Sequence, residues 1–108
     1  MKKFFSITLL SAIVFSSASV FASDSSGLIV GPLVQEGIFM FAAGTHNKKP
    51  ACSTVGDAWA FDANNSAGRS MQALIMLAYA LGKSVTVIGS GDCKAWGDRE
   101  RPAYVYVN

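Results

Sequence analysis

The sequence is poor in several residue types, and each shortage excludes a class of function. Its 108 residues hold one histidine, two cysteines, three prolines and only 15% charged side chains. A chain of this length makes one domain and leaves no room for a multi-part enzyme. One histidine and two distant cysteines do not compose a tetrahedral metal set. The cysteines lack the C-x-x-C spacing of a redox pair. No metal and no cofactor is expected. Basic runs are also missing from the body of the chain, because Lys2 and Lys3 account for the whole excess of basic over acidic side chains. A neutral remainder argues against nucleic acid, whose binding relies on Lys and Arg at phosphates. It argues equally against polybasic attachment to a membrane surface. Past residue 22 the apolar run Ala73 to Leu81 is nine residues, short of the ~20 needed to span a bilayer as a helix.

What is present begins with an address. Residues 1–22 read MKKFFSITLLSAIVFSSASVFA, two lysines followed by an apolar stretch and a small-residue tract. Val20 and Ala22 are compact enough for the narrow pockets of a signal peptidase, so a cleaved signal ending at Ala22 is expected. Ser6, Thr8 and Ser11 interrupt the stretch, which argues against a retained anchor. The expected product is a soluble domain of residues 23–108, periplasmic or secreted. Cys52 and Cys93 both fall in it, and an even pair in an oxidising compartment reads as a disulfide. A bridge closing a loop of about 40 residues is worth roughly 4 kcal/mol by chain entropy.

The element pattern follows from periodicity and turn residues. Ser23 to Gly27 reads as a polar, loose tail. Leu28 to Val34 is a strand interrupted at Gly31-Pro32, which suggests an edge or a bulge. Gln35-Glu36-Gly37 turns the chain into Ile38 to Phe41. Ala43 to Ala51 is a polar loop. Ala58 to Phe61 is a third strand with Trp59 and Phe61 on one face. Asn65 or Ser66 caps a helix from about Ala67 to Leu81, and Gly82 ends it. Ser84 to Ile88 and Ala103 to Val107 are the last two strands. The order is that of an OB-fold: an α+β, mainly β, five-stranded barrel with one helix between strands three and four.

That helix carries more apolar surface than one core stripe requires. Met71, Leu74, Ile75, Ala78 and Leu81 make the expected core face. Ala73, Leu77 and Ala80 form a second apolar line, and Gln72, Met76, Tyr79 and Lys83 a third. A helix apolar nearly all round is normally buried nearly all round, so the third line is a candidate subunit interface. Scattered apolar surface residues are the bland alternative.

The run from Cys52 to Tyr106 resembles a group of small exported proteobacterial proteins. It holds CSTVGDAWAFD, then RSMQALIMLAYALGKSVTVIG, then SGDCKAWGD and an aromatic closing strand. Their shared pattern is a Cys, a Trp-x-Phe strand, a helix ending in Gly-Lys, and a second Cys followed by a Trp. More distantly the arrangement is similar to the B subunits of the subtilase cytotoxin and typhoid toxin type. That resemblance implies a disulfide-stapled OB-fold and a homo-oligomeric ring, a pentamer in that family, with a glycan or protein ligand. It transfers no glycan-binding residue, because their long polar loops have no match here.

The remaining constellations are weighed against plain structural roles. His46 sits among Thr45, Asn47, Lys48 and Lys49 and reads as an exposed loop histidine rather than the base of a triad. Trp96, Asp98 and Glu100 form the candidate ligand loop, since an aromatic face beside carboxylates can stack on a sugar. The plainer reading, which is preferred, packs Trp96 over the disulfide or at the barrel end and leaves Asp98, Arg99, Glu100 and Arg101 as a solvated turn. Asp98 and Glu100 as a glycosidase pair would need a cleft that so short a chain does not supply. Gly89-Ser90-Gly91 precedes a cysteine rather than a helix and is no phosphate loop. The expected function is a non-catalytic binding or assembly module. A monomeric periplasmic structural or inhibitor-type protein is the alternative.

Overall fold

The structure, a computed structural model, describes residues 22–108. The leader expected at residues 1–22 lies outside them, Ala22 excepted. The described residues form β1 (Asp24–Gln35), β2 (Ile38–Ala43), β3 (Ala58–Asp62), α1 (Ser66–Ala80), β4 (Ser84–Gly89) and β5 (Pro102–Val107). The strands make one five-stranded sheet in the order β3-β2-β1-β4-β5, with each neighbouring pair antiparallel. No helix among the described residues is long and apolar enough to cross a membrane.

β1 organises the sheet because it serves two partners. Asp24–Leu28 pairs with β4, and Ile29–Gln35 pairs with β2. Between Val30 and Leu33 the register shifts in a bulge, at the Gly31-Pro32 step. Proline has no N–H for the ladder, so the step falls where the ladder is already broken. The strand bends there and wraps the sheet. Glu36 and Gly37 both take positive φ, the backbone of a two-residue hairpin turn into β2.

The polar start is not a loose tail. Ser23 and Ser25 are buried, and the Gly89 N–H donates to the Ser23 carbonyl at 2.8 Å. Alternation explains it: Ser23, Ser25 and Ile29 share the inward face, while Ser26, Leu28 and Val30 face out. Serines near a strand start read as a tail only when no partner strand is visible in the sequence.

The core sits between the sheet and α1. Phe39, Phe41 and Phe61 form a tilted triad with ring centroids 5.2 to 6.2 Å apart. Ile29, Trp59, Ile75, Ala78, Val85 and Val87 complete it. Each large side chain removed from water contributes about 1.5–3 kcal/mol. Asn65 caps α1, its Oδ1 accepting from the Gly68 N–H at 2.8 Å. A bond from Lys83 N to the Ala78 carbonyl closes the other end at 2.9 Å. Leu81 is a correction to the expected core stripe. It stands at the C-cap, outside the helical repeat, and is 62% exposed.

The ladder is not closed between the edge strands β3 and β5. They approach at one parallel bridge, between Trp59 and Glu100 just before β5. The Ala60 N–H donates to the Glu100 carbonyl there at 3.0 Å. That single bridge turns the Glu100 side chain into the protein.

Candidate functional site

Below that bridge lies a cluster of polar groups with no contact to solvent. Glu100 is 0% exposed and His46 4%. His46 Nε2 lies 2.7 Å from Glu100 Oε1. Glu100 Oε2 accepts from the Ser23 hydroxyl and from the Gly91 N–H, the latter at 2.8 Å. The Glu100 N–H donates to Ser53 Oγ at 3.3 Å. The His46 ring stacks on Trp59, centroids 3.7 Å apart and planes 21° from parallel. Trp59 Nε1 in turn donates to Ser25 Oγ at 2.9 Å. Ser23 just before β1, His46 after β2 and Gly91 after β4 thus converge on one carboxylate, with Trp59 of β3 and Ser25 of β1 packed behind His46.

Each element delivers its group for a local reason. Ser23 and Ser25 arrive on the inward face of β1. His46 is held by its own N–H, which donates to Asp57 Oδ1 at 3.0 Å. Asp24 and Asn47 exchange backbone bonds of 3.2 and 2.7 Å, which draws the loop after β2 against β1. Gly89 carries no side chain because there is no room for one. A Cβ at that position would run into the Ser23 hydroxyl and the Glu100 carboxylate.

The order of the groups in the cluster differs from that of a serine triad. In a serine triad the imidazole stands between hydroxyl and carboxylate. Here the carboxylate stands between hydroxyl and imidazole, so the Ser23 proton is directed to Glu100. Nε2 is the ring nitrogen that meets the carboxylate, and Nδ1 is the other. Nδ1 is buried and without a hydrogen-bond partner among the described residues. His46 is therefore a correction to the exposed loop histidine expected from its polar neighbours. The neighbours face out, and the ring covers Trp59.

The disulfide clamps this network from outside. Cys52 and Cys93 are bonded, with Cα atoms 6.2 Å apart. Cys52 adjoins Ser53, which holds the Glu100 N–H. Cys93 adjoins Asp92, which binds Arg101 as a fork, with Nε to Oδ1 at 3.1 Å and Nη2 to Oδ2 at 2.8 Å. The Asp92 carbonyl also accepts from the Arg101 N–H at 2.8 Å. Glu100 itself and its neighbour Arg101 are thereby tied to the two cysteine loops.

The Arg101 hydrogen bonds hold the Asp92 carboxyl below its ordinary range, at about 2, against an opposing effect of burial. The folded value is depressed, so the contribution is present above the unfolded value and is lost as pH falls through the folded one. Solvent around this half-exposed pair limits it to about 1 kcal/mol. Acid titration followed by circular dichroism should show that increment disappear between about pH 4 and pH 2. Arg101→Gln should flatten the curve in that window. An unchanged curve would show that the fork is energetically silent.

The residues expected at a ligand loop are divided by the fold. Trp96 is half-buried and accepts at its carbonyl from the Arg99 N–H at 3.0 Å, closing a tight turn. Asp98 pairs with Arg99 at 2.7 Å on the surface. Glu100 leaves this group altogether, a correction whose cause is the bridge to Trp59. Of the helix residues, Met76, Tyr79 and Lys83 are exposed and Gln72 is half-buried. Tyr79 and Lys83 join Leu28 and Gly82 around a groove of about 210 Å³ between α1 and β1. No group of three or more His, Cys, Asp or Glu placed to hold a metal occurs among the described residues.

Sequence reasoning missed Ser23, Ser25 and His46 as members of one site. The period of two in Ser23-x-Ser25 running toward Ile29 is a usable signal for the serines. Nothing local marks His46. No protein-family model, curated protein or solved structure matches this chain.

Proposed function

We propose that the chain is an exported, non-catalytic binding and assembly module that associates with copies of itself through the outer side of α1. The observation that carries this is the helix surface. Met76, Leu77 and Tyr79 stand exposed on it, Leu77 at 57%, and Leu81 follows at its end. A run of large apolar side chains on a fifteen-residue helix is what a subunit interface presents before its partner is added. Leu28, beside Tyr79 and Lys83 at the groove, extends the surface onto β1.

Three features support an OB-type fold within this proposal. The helix stands between the third and fourth strands, β1 bends to serve both halves of the sheet, and the edges meet at Trp59 and Glu100. In such an assembly the Trp96 and Asp98 turn is the surface left for a glycan or protein ligand. The buried order Ser23–Glu100–His46 supports a non-catalytic role, since its hydroxyl is committed to a carboxylate and sealed from solvent.

Sedimentation of the purified protein tests this. The expected mass is several times that of one chain, and Leu77→Asp with Met76→Asp should reduce it to one chain without loss of the far-ultraviolet spectrum. A wild-type protein that stays monomeric at high micromolar concentration overturns self-association. It would then favour the monomeric structural or inhibitor-type role.

A further inference from the structure

We infer that removal of the leader after Ala22 does more than release the protein: it creates an α-ammonium at Ser23 that becomes a partner of the buried Glu100 carboxylate. This rests on the export role proposed for residues 1–22. The geometry is specific to Ser23. Its hydroxyl already donates to Glu100 Oε2, and its carbonyl is fixed by the Gly89 N–H at 2.8 Å. Covalent geometry keeps a serine's own nitrogen within about 4 Å of its Oγ. The nitrogen freed by cleavage is therefore held in the immediate surroundings of the carboxylate.

The carboxylate is well placed to use a cation. It is fully buried; Oε2 is met by the Ser23 hydroxyl and the Gly91 N–H, which are neutral dipoles, while His46 Nε2 lies 2.7 Å from Oε1. An α-amino group with an ordinary pKa of ~8 is charged at neutral pH. A charge pair inside a protein is screened far less than one at the surface. The scissile bond also borders open space. A recess of about 150 Å³ is lined by Ala22, Ser23, Lys48, Pro50 and the Gly89–Gly91 turn. Because its hydroxyl and carbonyl are both held, Ser23 fixes where the new ammonium stands, and the recess gives that group space once Ala22 is gone. Cleavage and consolidation of the fold would be one event, so the uncleaved chain would be the looser form.

The full-length chain is expressed with its leader, and the exported protein is collected and weighed by mass spectrometry. A second chain carries two extra alanines inserted between Ala22 and Ser23, so that the amine produced by cleavage lies away from Glu100. The protein beginning at Ser23 should melt about 5 °C or more above the extended one. Its α-amine should also react with an acylating ester at least tenfold more slowly than the extended one's. With Glu100→Gln the melting difference should vanish, and where that variant does not fold the acylation rates decide alone. Lys48→Met should leave the difference in place. Equal melting temperatures with equal acylation rates overturn the ammonium–Glu100 pair, as does a difference that Lys48→Met abolishes. A mature mass that does not begin at Ser23 overturns the leader assignment instead, a separate outcome read from the first measurement alone.

Discussion

Glu100→Ala is expected to destabilise the protein by about 3–5 kcal/mol, a large share of the ~5–10 kcal/mol a domain of this size has. The change removes the acceptor of three donors at once: His46 Nε2 and the Ser23 hydroxyl, both buried, and the part-buried Gly91 N–H. Each stranded donor costs about 1–3 kcal/mol, and the side chain leaves a cavity beneath Trp59. The three losses share one carboxylate and do not simply add. Glu100→Gln keeps the volume and one acceptor oxygen, so it should lose roughly half as much. Urea melts followed by tryptophan fluorescence measure the difference, since Trp59 stacks on His46. If Glu100→Ala melts within about 0.5 kcal/mol of wild type, the network is ornamental and the bridge at Trp59 does not organise the fold. His46→Ala should be milder than Glu100→Ala, because its Nδ1 already lacks a partner and only one contact of the carboxylate is lost.

Loss of the disulfide should be of similar size. Cys52 and Cys93 are 41 residues apart in sequence. Chain entropy assigns such a closed loop about 4 kcal/mol. A domain this small has ~5–10 kcal/mol in total, so Cys52→Ser with Cys93→Ser should drop the melting temperature by roughly 15–30 °C. The loss has a local signature as well. Ser53 and Asp92, next to the two cysteines, hold the Glu100 N–H and Arg101. Hydrogen exchange at the Glu100 and Arg101 amides should therefore accelerate beyond the global loss of stability. Uniform acceleration across the sheet would show that the bridge acts on the unfolded chain alone.

The two changes should couple. The disulfide orders the loops that hold Glu100 in place, so after its removal Glu100→Ala has less structure left to disrupt. A double-mutant cycle in partly destabilising urea should give a combined loss smaller than the sum. Strict additivity would separate the clamp from the network.

How much of this was legible in the sequence differs from element to element. The helix, its Asn65 cap and strands β3, β4 and β5 follow from period and capping chemistry, and each lies within two residues of the expected bounds. These are local signals, carried by residues a few positions apart. The disulfide was legible because two cysteines leave one pairing. The bulge at Gly31-Pro32 was legible because proline cannot take part in a ladder. The surplus apolar surface of α1 was visible as three apolar lines, and the structure leaves Met76, Leu77 and Tyr79 uncovered.

The polar network was not legible, for a physical reason. Ser23, His46 and Glu100 are brought together from separations of 54 and 77 residues. No periodicity links them, and each has polar neighbours that make it look solvated. Glu100 stands between Arg99 and Arg101, so composition alone assigns it to an exposed turn. Its burial follows from the one bridge between Trp59 and the lead-in to β5, which alternation converts into an inward side chain.

The sequence by itself determined the helix, four of the five strands, the single cysteine pairing and the apolar excess of the helix, because these depend on residue type and short spacing. The start of β1 at Asp24 emerged only with its partner β4. Only the tertiary structure decided which polar residues are inside. A buried carboxylate is tolerable solely where distant segments deliver donors to it, and that delivery is a property of the folded sheet.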